Sequence, residues 1–329
     1  MKNEMKIKKV KFQGWDNCIE LTHGKFKLIV TTEVGPRIIG GFLEDGENIF
    51  MVDPKLAGKT GGDKWVNYGG HRFWHSPEDP VRTYAPDNEQ ISVYEMEDGS
   101  VSFVSEPEEL THISKTINIH PEGENSFRIE HILRNDGLWD VECAGWALSV
   151  MDVGGVAVVP QNPGDPNALL PTKFVSVWPY ASMTDPRVFW GDDLVMLRQD
   201  PNAKAPFKIG INCQQGWCAY LNKGVAFVKQ FNYYDDEEYP DNNCSVELYT
   251  CKTFLELETL GPLAVLEPGD ELIHEELWTA VKVDLPKNPT EEDVKKALGL
   301  DEDSEECDCG CEEHDDACKT EKKSAKSAK

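Results

Sequence analysis

One segment of the chain concentrates side chains that exchange protons and hold polar ligands. Residues 69–78 read GGHRFWHSPE and place two imidazoles, a guanidinium and an indole close together. His71 and His75 are acid/base candidates, because an imidazole changes charge near neutral pH. Arg72 suits hydroxyl, carboxylate or phosphate groups, and Trp74 can stack on the apolar face of a pyranose ring. The segment therefore predicts a pocket; the alternative is that both histidines only hydrogen-bond a loop.

A carboxylate candidate lies much later in the chain. Residues 255–258 alternate Leu, Glu, Leu, Glu, so Glu256 and Glu258 share one face of a strand. That face is either solvated or turned toward a ligand, and in a pocket Glu258 is suited to act as a general base. By contrast, Lys229 in the strand of residues 225–231 is expected to point outward into solvent, as most lysines do.

The last part of the chain offers a set of soft metal ligands: Cys307, Cys309, Cys311, His314 and Cys318. Four thiols and one imidazole within twelve residues are enough for a tetrahedral zinc or a copper(I) ion. The spacing differs from that of paired zinc-finger cysteines, and the alternative is a chance cluster in an acidic tail. Zinc or copper is thus expected only in the tail, and no cofactor is expected to be required elsewhere.

Strand signals dominate the first 285 residues. Runs of β-branched or aromatic residues bounded by turn residues occur at 25–32, 100–104, 127–133, 224–231 and 245–249. Turns such as Asp-Gly and Pro-Gly recur between them. Because this part contains no long amphipathic helix, the pattern predicts an all-β fold, with one large antiparallel sandwich over residues 1–285.

The remaining residues divide into a helix and a tail. Residues 286–300 predict a short helix with acidic residues in its first turn and Gly299 as its C-cap. Ten of the 18 residues 301–318 are Asp or Glu, and residues 319–329 are rich in Lys, Ser and Ala. Neither part of 301–329 has the apolar residues that a core needs, so a flexible tail is expected.

The charge balance disfavours some classes of partner. Among 329 residues, 33 Lys and Arg stand against 59 Asp and Glu, which gives a net charge of −26 and a pI near 4.6. Such a chain repels nucleic-acid phosphates and anionic lipid surfaces, and no stretch reaches the ~18 apolar residues of a membrane span. The N-terminus lacks an apolar signal segment, so a cytoplasmic location is expected.

The order of several segments resembles the galactose-mutarotase-like superfamily. Residues 254–259 (FLELET), 266–270 (LEPGD) and 276–278 (ELW) are similar to that family's ending, in which a Leu-Glu-Thr strand precedes a Pro-Gly turn and a last strand. The resemblance implies a large antiparallel β-supersandwich. It also implies that Glu258, the Glu of the Leu-Glu-Thr strand, is the general base acting on a sugar.

Earlier segments fit the same resemblance. Residues 69–78 are similar to the Gly-Gly-x-x-x-Trp-x-x-Pro segment that lines the sugar pocket of epimerase-like members, and residues 35–41 (GPRIIGG) to an early Gly-rich turn. Residues 146–148 (WAL) and 178–180 (WPY) resemble an uncharacterised branch of the superfamily. The substrate-binding candidates are therefore Arg37, Arg72, Trp74, Trp178 and Tyr180.

One departure from the family pattern concerns the general acid. Epimerases of this family place a general-acid His on a central strand shortly after an Asn. In this chain Asn135 is followed by residues 143–148 (CAGWAL), which contain no His. The resemblance leaves the acid to His71 or His75, which we expect to meet Glu258 in one pocket. Three hypotheses follow: an aldose 1-epimerase-like isomerase, a carbohydrate-binding or sensing protein that has lost the acid, and a metal-handling protein acting through its tail. The first two have a small-molecule carbohydrate as partner.

Overall fold

Two antiparallel sheets pack face to face in a computed structural model that describes residues 4–167 and 169–300. Strands are numbered in chain order. The first sheet runs, in spatial order, through β1 (Lys6–Phe12), β2 (Trp15–His23), β3 (Phe26–Thr31), β4 (Arg37–Leu43), β5 (Gly70–Ser76), β10 (Val141–Met151), β19 (Leu255–Leu260), β18 (Val246–Thr250), β15 (Phe207–Ile211) and β12 (Val175–Val177), with β20 (Ala264–Leu266) also paired to β10.

The second sheet covers the inner face of the first. Its spatial order is β13 (Val188–Trp190), β14 (Leu194–Arg198), β11 (Val156–Pro160), β16 (Trp217–Asn222), β17 (Val225–Phe231), β21 (Glu271–Lys282), β9 (Ser126–Asn135), β8 (Ile113–Glu122), β7 (Val101–Val104) and β6 (Ser92–Glu95). The predicted antiparallel β-sandwich is confirmed, and each of the five strand runs predicted from the sequence contains or overlaps a strand.

Apolar side chains at alternate positions of the strands form the core between the two sheets. On β9, Phe127, Ile129 and Leu133 are buried between the sheets, and on β19 Leu255 and Leu257 do the same from the opposite side. Since successive side chains of a strand point to opposite faces, the residues between these leucines are turned away from the second sheet. The outer face of the first sheet is therefore where Glu256 and Glu258 must lie.

Helix is scarce in the described ranges. α1 (Pro240–Asn243) is a single turn in which Asp241 and Asn242 have left-handed φ values of 54° and 64°, a conformation that Asp and Asn tolerate better than most residues. α2 (Glu291–Leu298) confirms the predicted C-terminal helix: Thr290 and Asp293 form a capping box and Gly299, with φ of 69°, ends it. No helix of the described residues is both long and apolar enough to span a bilayer.

A buried lysine joins the two sheets. Lys229 on β17 is fully buried, and its Nζ lies 2.7 Å from Oε1 of Glu276 on β21. The same ammonium donates across the core to the carbonyl oxygens of Ala147 (3.2 Å) on β10 and Leu257 (3.3 Å) on β19. The expectation that Lys229 points into solvent is wrong, because residue 229 has the inward parity of Phe227 and Phe231.

Neutral histidines surround this ion pair. His131 Nδ1 lies 2.9 Å from the carbonyl oxygen of His274, which can only accept, so Nδ1 carries the proton. His131 Nε2 must then accept from His71 Nε2 (2.7 Å), and His71 Nδ1 accepts from the Ser149 hydroxyl (2.9 Å). We call the set the inner network, whose members are His71, Ser149, His131, Lys229, Thr259, His274 and Glu276.

We predict that the free energy of unfolding falls as the pH drops from 6.5 to 4.5, an interval above the ordinary pKa values of Asp and Glu. Burial lowers the pKa of His131 to about 4 and that of His274 to about 3, from an ordinary value of 6.5. The unfolded chain therefore binds protons first as the pH falls below 6.5, and each histidine costs roughly 2–3 kcal/mol of stability by pH 4.5. Urea unfolding of the unmodified protein and of His131→Gln between pH 7.5 and 4.5 measures this, and an equal dependence of the free energy of unfolding on pH in the two proteins would contradict it.

Candidate functional site

Strand register gathers distant residues on the outer face of the first sheet. Arg72 on β5 stands opposite Leu148 on β10, Leu148 stands opposite Glu258 on β19, and Glu258 stands opposite Glu247 on β18. One row across four strands thus carries a guanidinium and two carboxyl groups. We call this face the outer site, and its members are Trp65, Arg72, Trp74, Trp146, Trp178, Lys208, Glu247, Glu256 and Glu258.

Glu258 is fully buried at the centre of the outer site. Its Oε2 accepts hydrogen bonds from Trp146 Nε1 (2.9 Å) and Lys208 Nζ (3.3 Å), whereas its Oε1 has no partner among the described residues. Burial raises the pKa of Glu258, with the positive charge of Lys208 opposing that rise. One carboxylate oxygen is therefore oriented by donors, and the other has no hydrogen bond to satisfy it.

A lysine and a second glutamate complete this centre. Lys208 Nζ lies 2.6 Å from Glu247 Oε2 and stands 4.8 Å and 4.6 Å from the ring centres of Trp146 and Trp178. Burial lowers the pKa of Lys208, but the carboxylates of Glu258 and Glu247 outweigh that effect and hold the pKa well above its usual range. The lysine is thus a permanent cation held between two carboxyl groups.

The site residues predicted from the sequence do not include Lys208 and Glu247, although each is a charged residue inside an otherwise apolar strand. Phe207, Ile209 and Ile211 face the core on β15, and a single lysine interrupts them. Glu247 interrupts β18 in the same way between Val246 and Leu248. A lone charge inside an otherwise apolar strand marks a polar site on the other face, but only the pairing of the strands shows that the two charges meet.

A second cation lies on an aromatic cluster nearby. Arg72 Nη1 donates to Glu256 Oε1 (3.0 Å), and the guanidinium stands 4.1 Å from the ring centre of Trp74 and 5.3 Å from that of Trp65. The ring centres of Trp74 and Trp146 are 5.6 Å apart. Arg72 Nε and the indole Nε1 atoms of Trp65 and Trp74 are buried without partners, so three donors remain unused.

The outer site brings together part of the set predicted from the sequence. Glu258, Arg72, Trp74 and Trp178 lie on the same face, as the contacts above show. Tyr180, about half exposed, lies near them at the rim; burial raises its pKa, and Lys208 and Glu258 are among the charges that act on it.

His71 and His75 do not belong to this face, which corrects the expected convergence with Glu258. They alternate with Arg72 and Trp74 along β5, so they point between the sheets. His71 is a fully buried member of the inner network, and His75 Nε2 stands 3.6 Å from Glu108 Oε2. Proximity along the sequence suggested one pocket, whereas the strand period separates the four side chains into two pairs.

Arg37 is also engaged elsewhere. Its guanidinium is buried, pairs with Asp87 at 2.5 Å and donates to the carbonyl oxygen of Gly69 at 2.9 Å. These contacts tie β4 to the chain segments that flank β5, so Arg37 supports the site from the side. The tail candidates Cys307, Cys309, Cys311, His314 and Cys318 lie outside the described residues, and the metal site there stays a prediction.

One group of the inner network has metal-ligand spacing. Ligand atoms of His71, His131 and Glu276 lie within 4.8 Å of one another. The hydrogen bonds described above already use both nitrogens of each imidazole, and the cation of Lys229 lies against Glu276. A divalent ion would add positive charge beside a buried ammonium, so the cluster fits a structural hydrogen-bond network better than a metal centre.

Comparison with known proteins supports the fold. No protein-family model and no curated protein matches the chain. A galactose mutarotase-like protein from Clostridium acetobutylicum superposes with a TM-score of 0.53 at 8% identity, covering 85% of this chain and 99% of its own. One from Lactobacillus casei gives 0.50 at 10% identity, with coverage of 80% and 100%, and the Slr1438 protein from Synechocystis gives 0.52 at 11%, with coverage of 84% and 99%. The chain therefore has the galactose-mutarotase-like fold.

We predict that Lys208→Met destabilises the protein by ~3–5 kcal/mol at neutral pH, because it leaves two buried carboxyl groups without their cation. Adding Glu247→Gln to this variant should recover part of the loss, since one of the two buried carboxyl groups that have lost their cation is removed. Lys223→Met, which breaks the ion pairs of a partly exposed lysine with Glu47 and Asp152, is the control and should change stability by no more than ~1 kcal/mol. Equal effects of the two lysine variants in urea unfolding would contradict the assigned role of Lys208.

Proposed function

We propose that the outer site binds a sugar and that Glu258 is the base in acid/base isomerisation at its anomeric carbon. The observation that carries the proposal is the free, buried Oε1 of Glu258 in an aromatic-lined site on a galactose-mutarotase-like fold. Trp146 and Lys208 hold the other oxygen, so the carboxylate is oriented before any ligand arrives. Such preorganisation favours proton transfer at a fixed position.

The reaction needs a base and an acid. The base removes the proton of the anomeric hydroxyl while an acid protonates the ring oxygen, and the ring opens to the aldehyde. Closure on the other face of the carbonyl reverses both transfers. Burial raises the pKa of Glu258, and a carboxylate with a raised pKa is a stronger base.

The unused donors support a polyhydroxylated ligand. A buried polar group without a partner costs ~1–3 kcal/mol, and Arg72 Nε, Trp65 Nε1 and Trp74 Nε1 are all in that state. Sugar hydroxyls accept from such donors and donate to Glu258 Oε1. The indole faces beside them suit the apolar face of a pyranose ring.

The charges of the outer site favour a ligand without an anionic group. Arg72 is paired with Glu256, and Lys208 with Glu247 and Glu258, so neither cation is left over for a phosphate or carboxylate. The net charge of −26 for the chain adds a repulsive field. We therefore propose an uncharged sugar as the partner, rather than a nucleic acid or an anionic lipid surface.

A second function, sugar binding or sensing without turnover, is favoured by one observation. None of the histidines in residues 4–167 and 169–300 contacts Glu258, and the two predicted candidates point into the core. If no other group replaces the missing imidazole, a bound sugar keeps its anomeric configuration. Binding and turnover are separable by experiment.

We predict that Glu258→Gln reduces anomer exchange by ~10²–10⁴-fold, the usual effect of a positioned acid or base. Its affinity for the sugar should stay nearly unchanged, because the amide keeps the shape of the side chain and the lost interaction belongs to the transition state. NMR exchange spectroscopy on neutral aldohexoses measures turnover, and titration of the same sugars measures affinity.

The control for this experiment is Glu130→Gln, which removes a strand carboxylate that contacts Asn118 and Arg128 on the second sheet. It should leave exchange unaffected. Full exchange activity in Glu258→Gln would show that the base lies elsewhere. Binding of a sugar by the unmodified protein without any catalysed exchange would establish the sensing function instead.

A further inference from the structure

A candidate for the missing general acid lies beside Glu258. Glu247 stands directly opposite Glu258 across the β18–β19 pair, and both side chains are fully buried on the outer face. Each binds the Lys208 ammonium through Oε2, at 2.6 Å for Glu247 and 3.3 Å for Glu258. Two carboxyl groups from neighbouring strands therefore share one cation.

The charges of this trio do not balance unless a proton is present. Two ionised carboxylates and one ammonium leave a net negative charge in a buried place, which costs several kcal/mol. Burial raises the pKa of Glu247 well above its ordinary value, and the neighbouring Glu258 raises it further against the opposing charge of Lys208. One proton on one of the two carboxyl groups makes the trio neutral.

Both carboxyl groups also keep one oxygen unused. Oε1 of Glu247 and Oε1 of Glu258 are buried and have no hydrogen-bond partner among the described residues. Because Lys208 holds both Oε2 atoms, the two free oxygens are the ones left for a ligand. A carboxyl group that carries a proton and a carboxylate that carries none are then available side by side.

Building on the sugar isomerisation proposed above, we propose that Glu247 is the general acid that takes the place of the missing histidine. Glu258 removes the proton of the anomeric hydroxyl while Glu247 gives its proton to the ring oxygen. The C1–O5 bond breaks, its electron pair stays on the ring oxygen, and C1=O1 forms. Ring closure from the other face returns both protons, so no co-reactant is consumed and Lys208 stays an ammonium throughout.

The pH dependence of such a pair is set by all the groups that face it. The charged and titratable neighbours on the packed elements are Lys208 on β15, Glu256 on β19, Tyr249 on β18, Arg72 on β5, Asp241 on α1, Cys244 at its end, and Tyr180 and Glu78 at the rim. Of these, Lys208 is in direct contact with both members of the pair.

The experiment compares Glu247→Gln and Glu247→Asp with the unmodified protein. The amide cannot donate a proton to the ring oxygen and return it, so Glu247→Gln should lower exchange by ~10²–10⁴-fold and abolish the fall of kcat/KM on the alkaline side of the pH profile. The shorter acid should restore part of the rate and keep that alkaline limb. Infrared spectroscopy at pH 7 should show the carbonyl stretch of a protonated carboxyl group that disappears in Glu247→Gln.

The outcomes separate this inference from the proposed function. Full exchange in Glu247→Gln, with loss of exchange in Glu258→Gln, overturns the role of Glu247 and leaves the isomerase standing. Failure of the unmodified protein to exchange any aldohexose removes the isomerase and this inference together. If Glu247→Gln does not fold, Glu247→Asp provides the test. A lowered rate with an unchanged pH profile supports Glu247 as the general acid. Loss of the alkaline limb in an active Glu247→Asp contradicts that role.

Discussion

The ion pair between Lys229 and Glu276 is the contact on which the geometry of the candidate site depends. Lys229 spans the core, because the ammonium that pairs with Glu276 on the neighbouring strand β21 also donates to the carbonyl oxygens of Ala147 and Leu257 on the first sheet. Those two residues directly precede Leu148 and Glu258, which lie opposite each other on the outer face. Removing one partner from a buried pair leaves an uncompensated charge, so the two sheets are held at a defined separation and register.

Because successive side chains of a strand point to opposite faces, the polar residues of the first sheet form two separate groups, the inner network and the outer site. Inside, the inner network is closed: the hydrogen bonds of His71 and His131 run from the Ser149 hydroxyl to the His274 carbonyl oxygen without a gap. On the other face of the first sheet, the outer site is also largely buried, but Glu258 Oε1, Arg72 Nε and the indole Nε1 atoms of Trp65 and Trp74 have no hydrogen-bond partner among the described residues. The inner network satisfies the hydrogen bonds of its imidazoles, whereas the outer site keeps polar atoms unsatisfied.

The sequence predicted the strands, the cap of α2 and the common face of Glu256 and Glu258, because each depends on local periodicity or end chemistry. It did not predict the meeting of Lys208, Glu247 and Glu258, since their contact requires the register between β15 and the hairpin of β18 and β19, which lies much later in the chain. The placement of His71 and His75 with Arg72 and Trp74 was wrong for a reason that was available beforehand. The two pairs differ by odd numbers of residues within one strand.

The central claim, that the outer site binds an uncharged sugar, is tested most directly by thermal unfolding in the presence of ligands. Neutral aldohexoses, hexuronates and hexose phosphates would each be added to the unmodified protein, to Trp74→Ala and to the control Trp139→Ala, an exposed indole on the β9–β10 connection. Binding raises the melting temperature by mass action, so the account predicts a rise with a neutral sugar that Trp139→Ala keeps and Trp74→Ala loses. A rise produced only by the anionic sugars, or one that survives in Trp74→Ala, would contradict it.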